Sequence, residues 1–236
     1  MTDFVIGGSP RCYALVPCAG VGARAGVGGP KQYHPLAGRA VVAHTLDALQ
    51  RVARIEATLV VLSPEDAQFE QHVPQFTGWV ARCGGPTRAE TVANGLQELV
   101  ARGAQPHDWV LVHDAARCLV RPEWVDRLID ACWDDDVGGL LALPLADTLK
   151  QAQQGRVGAT IDRAGKWAAQ TPQMFRLGLL RPALAHAGDT VTDEASAIEA
   201  LGHAPLLVEG SLENFKLTWP ADFELAARLL RSVPIA

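Results

Sequence analysis

The sequence lacks several features that assign a chain to a broad class of protein. No apolar run approaches the roughly 18 residues of a membrane-spanning helix, and residues 1–10, MTDFVIGGSP, contain neither the basic segment nor the apolar core of a secretory signal. The five cysteines are never spaced C-x-x-C, and the seven histidines show no H-x-x-x-H spacing. We therefore expect a cytoplasmic protein with reduced thiols and without a disulfide framework, a zinc site or a membrane span.

A basic excess is also missing, since 21 lysines and arginines face 26 aspartates and glutamates and the formal net charge is −5. Nucleic-acid-binding proteins usually carry a basic excess, so the composition predicts no nucleic-acid partner. A small anionic substrate remains compatible with this balance, because a basic pocket can lie in an acidic protein. The chain has 236 residues, 48% of them hydrophobic, which suits one domain with a sizeable core.

Short apolar runs alternate with helix-length amphipathic segments along most of the chain. Strands are predicted at 13–17, 58–62, 79–81, 109–112 and 137–145, and helices at 41–52, 87–100 and 122–133, with a short helix opened by Pro64. The capping-box pattern Thr87-x-x-Glu90 marks the start of the second of these helices. The alternation predicts an α/β fold with a doubly wound, mostly parallel sheet and a site at the carboxyl ends of its strands.

Residues 145–167 interrupt this alternation. They are polar and punctuated by glycine, with β-compatible pieces near 157–161, so we expect a β-arm that leaves the sheet. Beyond it the pattern predicts helices near 178–186 and 193–201, strands near 206–209 and 215–218, and a helix from Pro220. No repeat or low-complexity linker divides the chain, and we expect a single domain, 1–236, that includes the arm.

A glycine-rich loop from Cys18 to Lys31 follows the first predicted strand. Glycine lets backbone N–H groups approach a phosphate closely. A dinucleotide fingerprint conflicts with the glycines and proline of 26–30, which prevent a helix from starting at once, and a Walker loop requires Gly-Lys-Ser/Thr. A wide loop around a triphosphate, with Arg24 and Lys31 supplying charge, remains, as does an ordinary surface loop.

A carboxylate follows the predicted strand 109–112 in the segment His113-Asp114-Ala115-Ala116-Arg117. An aspartate at a strand end beside a phosphate loop is well placed to hold Mg²⁺, which prefers oxygen ligands. A turn-capping role for Asp114 is equally compatible with the sequence. Arg117 has two interpretations as well, a phosphate contact or a pair with a nearby acid.

These segments stand in an order that resembles the 2-C-methyl-D-erythritol 4-phosphate cytidylyltransferase family. The likeness extends over residues 12–230. The motifs that carry it are 17–24 (PCAGVGAR), 30–33 (PKQY), Gly84-Gly85 with Arg88 and Thr91, 113–117 (HDAAR), 147–150 (DTLK), 162–163 (DR), 170–173 (QTPQ), 192–196 (TDEAS) and 214–218 (NFKLT).

The resemblance implies a reaction of CTP with methylerythritol 4-phosphate that releases pyrophosphate, with Mg²⁺, a Rossmann-like sheet and a homodimer held through the β-arm. A cytidylyltransferase acting on another alditol phosphate, such as ribitol 5-phosphate, is the nearest alternative. A non-catalytic nucleotide-binding regulator is another, although the charged residues Arg24, Lys31, Asp114 and Lys216 together argue against it.

The resemblance also implies a role for individual residues, carried over position by position. Charge stabilisation falls to Arg24, Lys31 and Lys216. Nucleotide contacts fall to Ala19, Gly20, Gly22, Gly85, Thr91, Asp114 and Ala115, with Asp114 also at the metal. Substrate contacts fall to Arg117, Thr148, Arg163, Thr171 and Thr192, of which Thr148 and Arg163 would serve the neighbouring subunit. The chain departs from the family pattern at Cys18, Pro86, Cys118 and Trp219, and Pro86 removes a backbone N–H near the base.

Overall fold

Strands and helices alternate along the chain in a computed structural model that describes residues 8–20, 29–187 and 192–232. The first part contains β1 (Cys12–Pro17), β2 (Pro35–Leu36), β3 (Arg39–Ala40), α1 (Val41–Gln50), β4 (Ala57–Val61), α2 (Phe69–His72), β5 (Trp79–Ala81), α3 (Arg88–Ala101), β6 (Trp109–Val112), α4 (Pro122–Cys132) and β7 (Gly138–Pro144). The second contains β8 (Leu149–Gln153), β9 (Arg156–Ile161), β10 (Trp167–Arg176), α5 (Leu177–Ala187), α6 (Glu194–Ala200), β11 (Leu206–Glu209) and α7 (Pro220–Ser232).

The central sheet has seven strands in the order β11-β7-β10-β6-β1-β4-β5. All neighbours are parallel except β10, which runs antiparallel to both β6 and β7. In β1, Ala14 and Val16 enter the core beneath α1 and α4, whereas Tyr13 and Leu15 enter the core beneath α3, α5 and α6. Because alternate side chains point to opposite faces, the buried run of β1 requires both layers. The predicted α/β fold with a mostly parallel sheet is confirmed.

Two local predictions are wrong. Residues 64–65 form a turn, and the short helix begins only at Phe69, where Asp66 Oδ1 accepts the N–H groups of Gln68 and Phe69 at 3.0 and 3.1 Å. Residues 215–218 form no strand, since this segment crosses the loop after β6 and Leu217 N donates to Ala116 O at 2.9 Å. The Asp66 side chain thus binds the backbone just before the short helix, and a backbone contact to the loop after β6 is found where the second strand was predicted.

The periodicity of the sequence did not indicate β10. Its middle residues are polar, and its register with β7 shifts between Ala169 and Gln173. Gln170, Thr171 and Gln173 are nevertheless buried. Periodicity could not identify this strand, because side-chain hydrogen bonds rather than apolar packing satisfy its interior.

The predicted excursion at 145–167 is an antiparallel hairpin of β8 and β9 that pairs with no strand of the central sheet. The hairpin's residues are exposed on both faces, and Val157 is 66% exposed. Its role in dimerisation stays a prediction. Within the described residues no helix has the length and apolar character needed to span a bilayer.

Candidate active site

A cavity of about 230 Å³ lies at the carboxyl ends of the neighbouring strands β1 and β6. The loop after β5, the start of α3 and the segment ahead of α7 complete its wall. The lining residues are Pro17, Ala19, Gly20, Lys31, Gln32, Gly85, Pro86, Thr87, Arg88, Thr91, Asp114, Ala115, Ala116 and Lys216. The cavity therefore occupies the edge of the sheet at which the fold class predicts binding.

The residues that the resemblance assigns to charge and nucleotide contacts converge on this cavity. Those that line it are Ala19, Gly20, Lys31, Gly85, Thr91, Asp114, Ala115 and Lys216. Gly22 and Arg24 lie outside the described residues. The fold thus joins a loop after the first strand to a segment near the last helix.

Lys31 enters the cavity from the short 3₁₀ turn Lys31–Tyr33. Its Nζ donates to Leu217 O at 2.9 Å, so the lysine is tied to the segment that carries Lys216. The next residue, Gln32, donates from Nε2 to Cys18 O at 3.2 Å and fixes the two ends of the glycine-rich loop together. These contacts hold the ammonium group in the cavity.

Three cations surround the carboxylate of Asp114, which is almost fully buried. Oδ1 lies 2.9 Å from Arg88 Nε, and Oδ2 lies 2.9 Å from Lys216 Nζ and 3.6 Å from Arg117 Nε. Burial alone would raise the pKa of Asp114, but the charges of Arg88, Lys216 and Arg117 outweigh it and hold the pKa far below its usual range. The carboxylate is ionised, and the cations around it remain in excess.

A buried chain of hydrogen bonds fixes the backbone at Asp114. The N–H of Asp114 donates to Thr171 Oγ1 at 3.1 Å, and that hydroxyl lies 3.0 Å from His113 Nδ1. His113 Nε2 lies 3.1 Å from Arg117 O, and a carbonyl only accepts, so Nε2 carries the proton and Thr171 donates to Nδ1. Burial lowers the pKa of His113 to about 4, so the imidazole is neutral.

The loop between β5 and α3 approaches the cavity through close backbone packing. A Cβ on Gly84 would meet Ala19 and would lie 2.7 Å from Leu62 O. Gly85 N donates to Thr91 Oγ1 at 3.1 Å, and the hydroxyl of Thr91 donates to Thr87 O at 2.9 Å. Thr87 and Glu90 form the predicted capping box, which is confirmed. Thr91 therefore lines the cavity and also holds the loop that forms part of its wall.

Unlike the described charge and nucleotide residues, the five predicted substrate residues do not line this cavity. Thr192 lines a second cavity of about 250 Å³, beside the first. Thr171 is buried in the chain of hydrogen bonds, and Arg117 donates to Asn214 O at 2.6 Å and contacts Asp114. Thr148 and Arg163 are exposed at the base of the hairpin and line neither cavity. Their predicted role in a neighbouring subunit is compatible with this position.

Two residues that the sequence analysis names in its motifs without assigning them a role are brought into the site by the structure. Arg88 lines both cavities, and Glu194 lines the second one and pairs with Arg88. Arg88 is the first residue of α3, and a basic residue there opposes the helix dipole. That conflict was the available signal, since it indicates a specific anionic partner.

A larger cavity, of about 790 Å³, lies elsewhere, between α3 and α5. Its wall is mostly apolar, and none of the predicted site residues that the structure describes lines it. Volume is therefore a poorer guide here than the convergence of charged groups at the strand ends.

Comparison with known proteins identifies the family. The family model described as 2-C-methyl-D-erythritol 4-phosphate cytidylyltransferase matches residues 12–232. A relative from Albidiferax ferrireducens, named bifunctional enzyme IspD/IspF, is 62% identical over 94% of this chain, which spans only 53% of that relative. A 2-C-methyl-D-erythritol 4-phosphate cytidylyltransferase from Burkholderia cenocepacia is 51% identical, with coverage of 94% of this chain and 97% of the relative.

Solved structures agree. A crystal structure of a 4-diphosphocytidyl-2C-methyl-D-erythritol synthase has a TM-score of 0.85 at 44% identity and covers 94% of this chain and 99% of the other. The 2-C-methyl-D-erythritol 4-phosphate cytidylyltransferase of Thermus thermophilus has a TM-score of 0.77 at 32% identity, with coverages of 93% and 98%. The chain therefore belongs to the 2-C-methyl-D-erythritol 4-phosphate cytidylyltransferase family, as the order of its motifs predicted.

Proposed function

We propose that the chain joins CTP and 2-C-methyl-D-erythritol 4-phosphate, giving 4-diphosphocytidyl-2-C-methyl-D-erythritol and pyrophosphate, in non-mevalonate isoprenoid precursor biosynthesis. Membership of the family supports the choice of both substrates. The observation that carries the proposal is the convergence of Lys31 and Lys216 on one cavity beside the ionised Asp114, whose Oδ1 Arg88 holds. That charge set suits a bound triphosphate.

The reaction needs positioning and charge stabilisation more than a base. A phosphate monoester loses its second proton near pH 6, so its oxygen is already anionic at neutral pH. This oxygen attacks the α-phosphorus of CTP, a new P–O bond forms, and the bond from the α-phosphorus to the bridging oxygen of the β-phosphate breaks. Pyrophosphate leaves with that electron pair. The barrier is the approach of two anions, which fixed cations lower.

Residue roles follow from this chemistry. We assign charge stabilisation to Lys31 and Lys216, whose ammonium groups line the cavity, and to Arg24. The nucleotide contacts are assigned to Ala19, Gly20, Gly22, Gly85, Thr91, Asp114 and Ala115. The alcohol phosphate is assigned to the second cavity, which Thr192 lines. Arg117 and Thr171 support this site, and a partner subunit contributes Thr148 and Arg163.

We also propose Mg²⁺ as the divalent cation, with Asp114 as its protein ligand. Among the described residues that line the nucleotide cavity, Asp114 is the one carboxylate, and its low pKa keeps it ionised. Mg²⁺ is commonly held by one or two carboxylates together with substrate phosphates and water. Because Arg88 and Lys216 already contact both oxygens of Asp114, the ion would share this carboxylate with them and take its other ligands from the triphosphate and water. When bound, the ion would neutralise charge on the phosphates and on the leaving pyrophosphate.

A homodimer formed through the β8–β9 hairpin completes the proposal. An isolated two-stranded hairpin is only marginally stable in water, and both faces of this one are exposed within a single chain. A second copy of the chain would cover it and receive Thr148 and Arg163. We place the protein in the cytoplasm, since all five cysteines are free in the structure.

A pyrophosphate-release assay tests the proposed function. The purified chain is incubated with CTP and Mg²⁺, together with 2-C-methyl-D-erythritol 4-phosphate or ribitol 5-phosphate. We expect release that requires the first alcohol phosphate. Preference for ribitol 5-phosphate would mean that this compound, and not 2-C-methyl-D-erythritol 4-phosphate, is the substrate. Absence of release with either compound would favour a nucleotide-binding regulator.

A further inference from the structure

Arg88 joins two acidic side chains that lie on opposite sides of its guanidinium. Its Nε donates to Asp114 Oδ1 at 2.9 Å, while Nη1 and Nη2 donate to Glu194 Oε1 and Oε2 at 2.7 and 3.0 Å. Glu194 is the first residue of α6, and its side chain is 1% exposed. The paired bonds to Glu194 fix the plane of the guanidinium, because this two-pronged geometry is specific.

The position of this cluster links the two cavities. Arg88 lines the nucleotide cavity and the second cavity, which Thr192 and Glu194 also line. Glu194 lies two residues after Thr192, at the start of α6. A displacement of Glu194 would therefore move Arg88 and alter the walls of both cavities.

Stability gives little reason to retain such a cluster. A buried ion pair costs desolvation that its attraction often only balances, and the N-terminus of α3 disfavours a cation. An arginine, which stays charged in proteins, held in this unfavourable position indicates a role in the site.

We propose that Arg88 and Glu194 are positioning residues for the cytidylyl transfer, an inference that rests on the proposed function. Glu194 fixes the guanidinium, whose Nε–H then holds Oδ1 of Asp114. The other oxygen, Oδ2, is thereby directed at Lys216, 2.9 Å away. Arg88 and Glu194 set the direction of the Lys216 ammonium without contacting the phosphates themselves.

Two conservative variants test this inference. Arg88→Lys keeps the charge but not the three directed N–H bonds, and Glu194→Gln keeps the shape but removes the charge behind Arg88. By analogy with the outer partners of metal ligands, we expect each to lower kcat by about 10–100-fold. The KM for CTP should change much less, because the cations remain in the cavity. The kcat of the double variant should be little lower than that of either single variant, since both changes disrupt the same Arg88–Glu194 contact.

Arg82→Lys is the matched control. Arg82 also makes a two-oxygen contact with a glutamate, Glu70, at 2.6 and 2.7 Å, but this pair is exposed and outside both cavities. We expect its kcat to equal that of the unaltered enzyme. Melting temperatures are measured in parallel, because a merely structural cluster would lower the melting temperature and leave kcat intact.

The outcomes separate this inference from the function on which it rests. An inactive wild-type chain would defeat the proposed function. An active wild type whose Arg88→Lys and Glu194→Gln variants retain full kcat would defeat only the positioning role. If Arg88→Lys folds poorly, Glu194→Gln still decides the matter, because it alters neither the volume nor the outline of the side chain.

Discussion

Two lysines from distant parts of the sequence are held in the cavity by contacts within the protein. Lys31 Nζ donates to Leu217 O, and Lys216 Nζ lies 2.9 Å from Asp114 Oδ2. Charge fixed in advance stabilises a transition state without reorganisation at the moment of reaction. The lysines should therefore act mainly on kcat.

Lys31→Ala should lower kcat by about 10²–10³-fold, as removal of one preorganised donor does. The KM for CTP should rise much less, because Lys216 and the backbone of the loop still hold the nucleotide. We expect the same of Arg24→Ala, in the segment outside the described residues. Steady-state kinetics with CTP varied at saturating alcohol phosphate gives both constants.

The matched control removes a surface charge. Arg228 pairs with Glu224 on the exposed face of α7, so Arg228→Ala should leave both constants near wild type. Near-normal kcat in Lys31→Ala would exclude the catalytic assignment of that lysine.

His113 provides a prediction about stability against pH. Burial lowers its pKa to about 4 in the folded protein, whereas an unfolded histidine titrates near 6.5. Between these values the unfolded state binds the proton and the folded state does not, so stability falls as pH falls. This group alone should remove about 3 kcal/mol of unfolding free energy between about pH 7 and pH 4.

Urea unfolding of the wild type and of His113→Gln across that range isolates this contribution. The two proteins share the other titrating groups, so their difference reports His113. The variant should be less stable at neutral pH, since it loses the bonds to Thr171 and Arg117, and it should show the weaker pH dependence. Equal slopes would mean that the pKa of His113 is the same in the folded and the unfolded protein.

At the scale of elements, the sequence predicts what periodicity and caps encode. The apolar run of residues predicts β1, and the capping box of Thr87 and Glu90 predicts the start of α3. Both signals are local in the sequence, and both predictions are confirmed. β10 escaped prediction because its polar residues gain their partners only in the folded chain. Gln173, for example, donates to Asp193 and accepts from Ala195 N.

The residues of the candidate site also fall into those that the sequence predicts and those that it does not. Motif order identified the lysines and Asp114, which line the cavity. Arg88 and Glu194 were missed as a pair, because their contact joins residues 106 positions apart. Only the folded chain brings the start of α6 near the start of α3 and joins these two side chains. Residues that act through another side chain carry little local signal in a single sequence.

The cap of α3 connects element stability to nucleotide binding. Thr87 Oγ1 accepts from Glu90 N at 3.1 Å, and Glu90 Oε2 accepts from Thr87 N at 2.9 Å. Thr87→Ala should cost about 1 kcal/mol of unfolding free energy. It should also raise the KM for CTP, because Gly85 and Pro86 line the cavity immediately before the cap. Thr87→Ser, which keeps the accepting oxygen, should restore both values. If Thr87→Ala leaves the KM for CTP unchanged, the cap of α3 does not position the loop of Gly85 and Pro86 for the nucleotide.

For the whole molecule, net charge and local charge have opposite signs. The chain carries a formal charge of −5. Around the nucleotide cavity, however, Arg88, Arg117 and Lys216 lie close to Asp114, the one acid among the described residues of its lining, and Lys31 lines the same cavity. Such an arrangement is suited to attracting small anions to one place on a protein of negative net charge.

Complementation between inactive subunits tests assembly and site together. If Arg163 serves a neighbouring chain and Lys31 its own, a heterodimer of Lys31→Ala and Arg163→Ala contains one site with both residues intact. A mixture in equal amounts should recover about a quarter of the wild-type activity, since half of randomly assorted dimers are heterodimers and each has one intact site. Each variant alone should remain impaired, and light scattering with differently tagged subunits verifies the exchange. If verified heterodimers recover no activity, Arg163 does not act across the dimer.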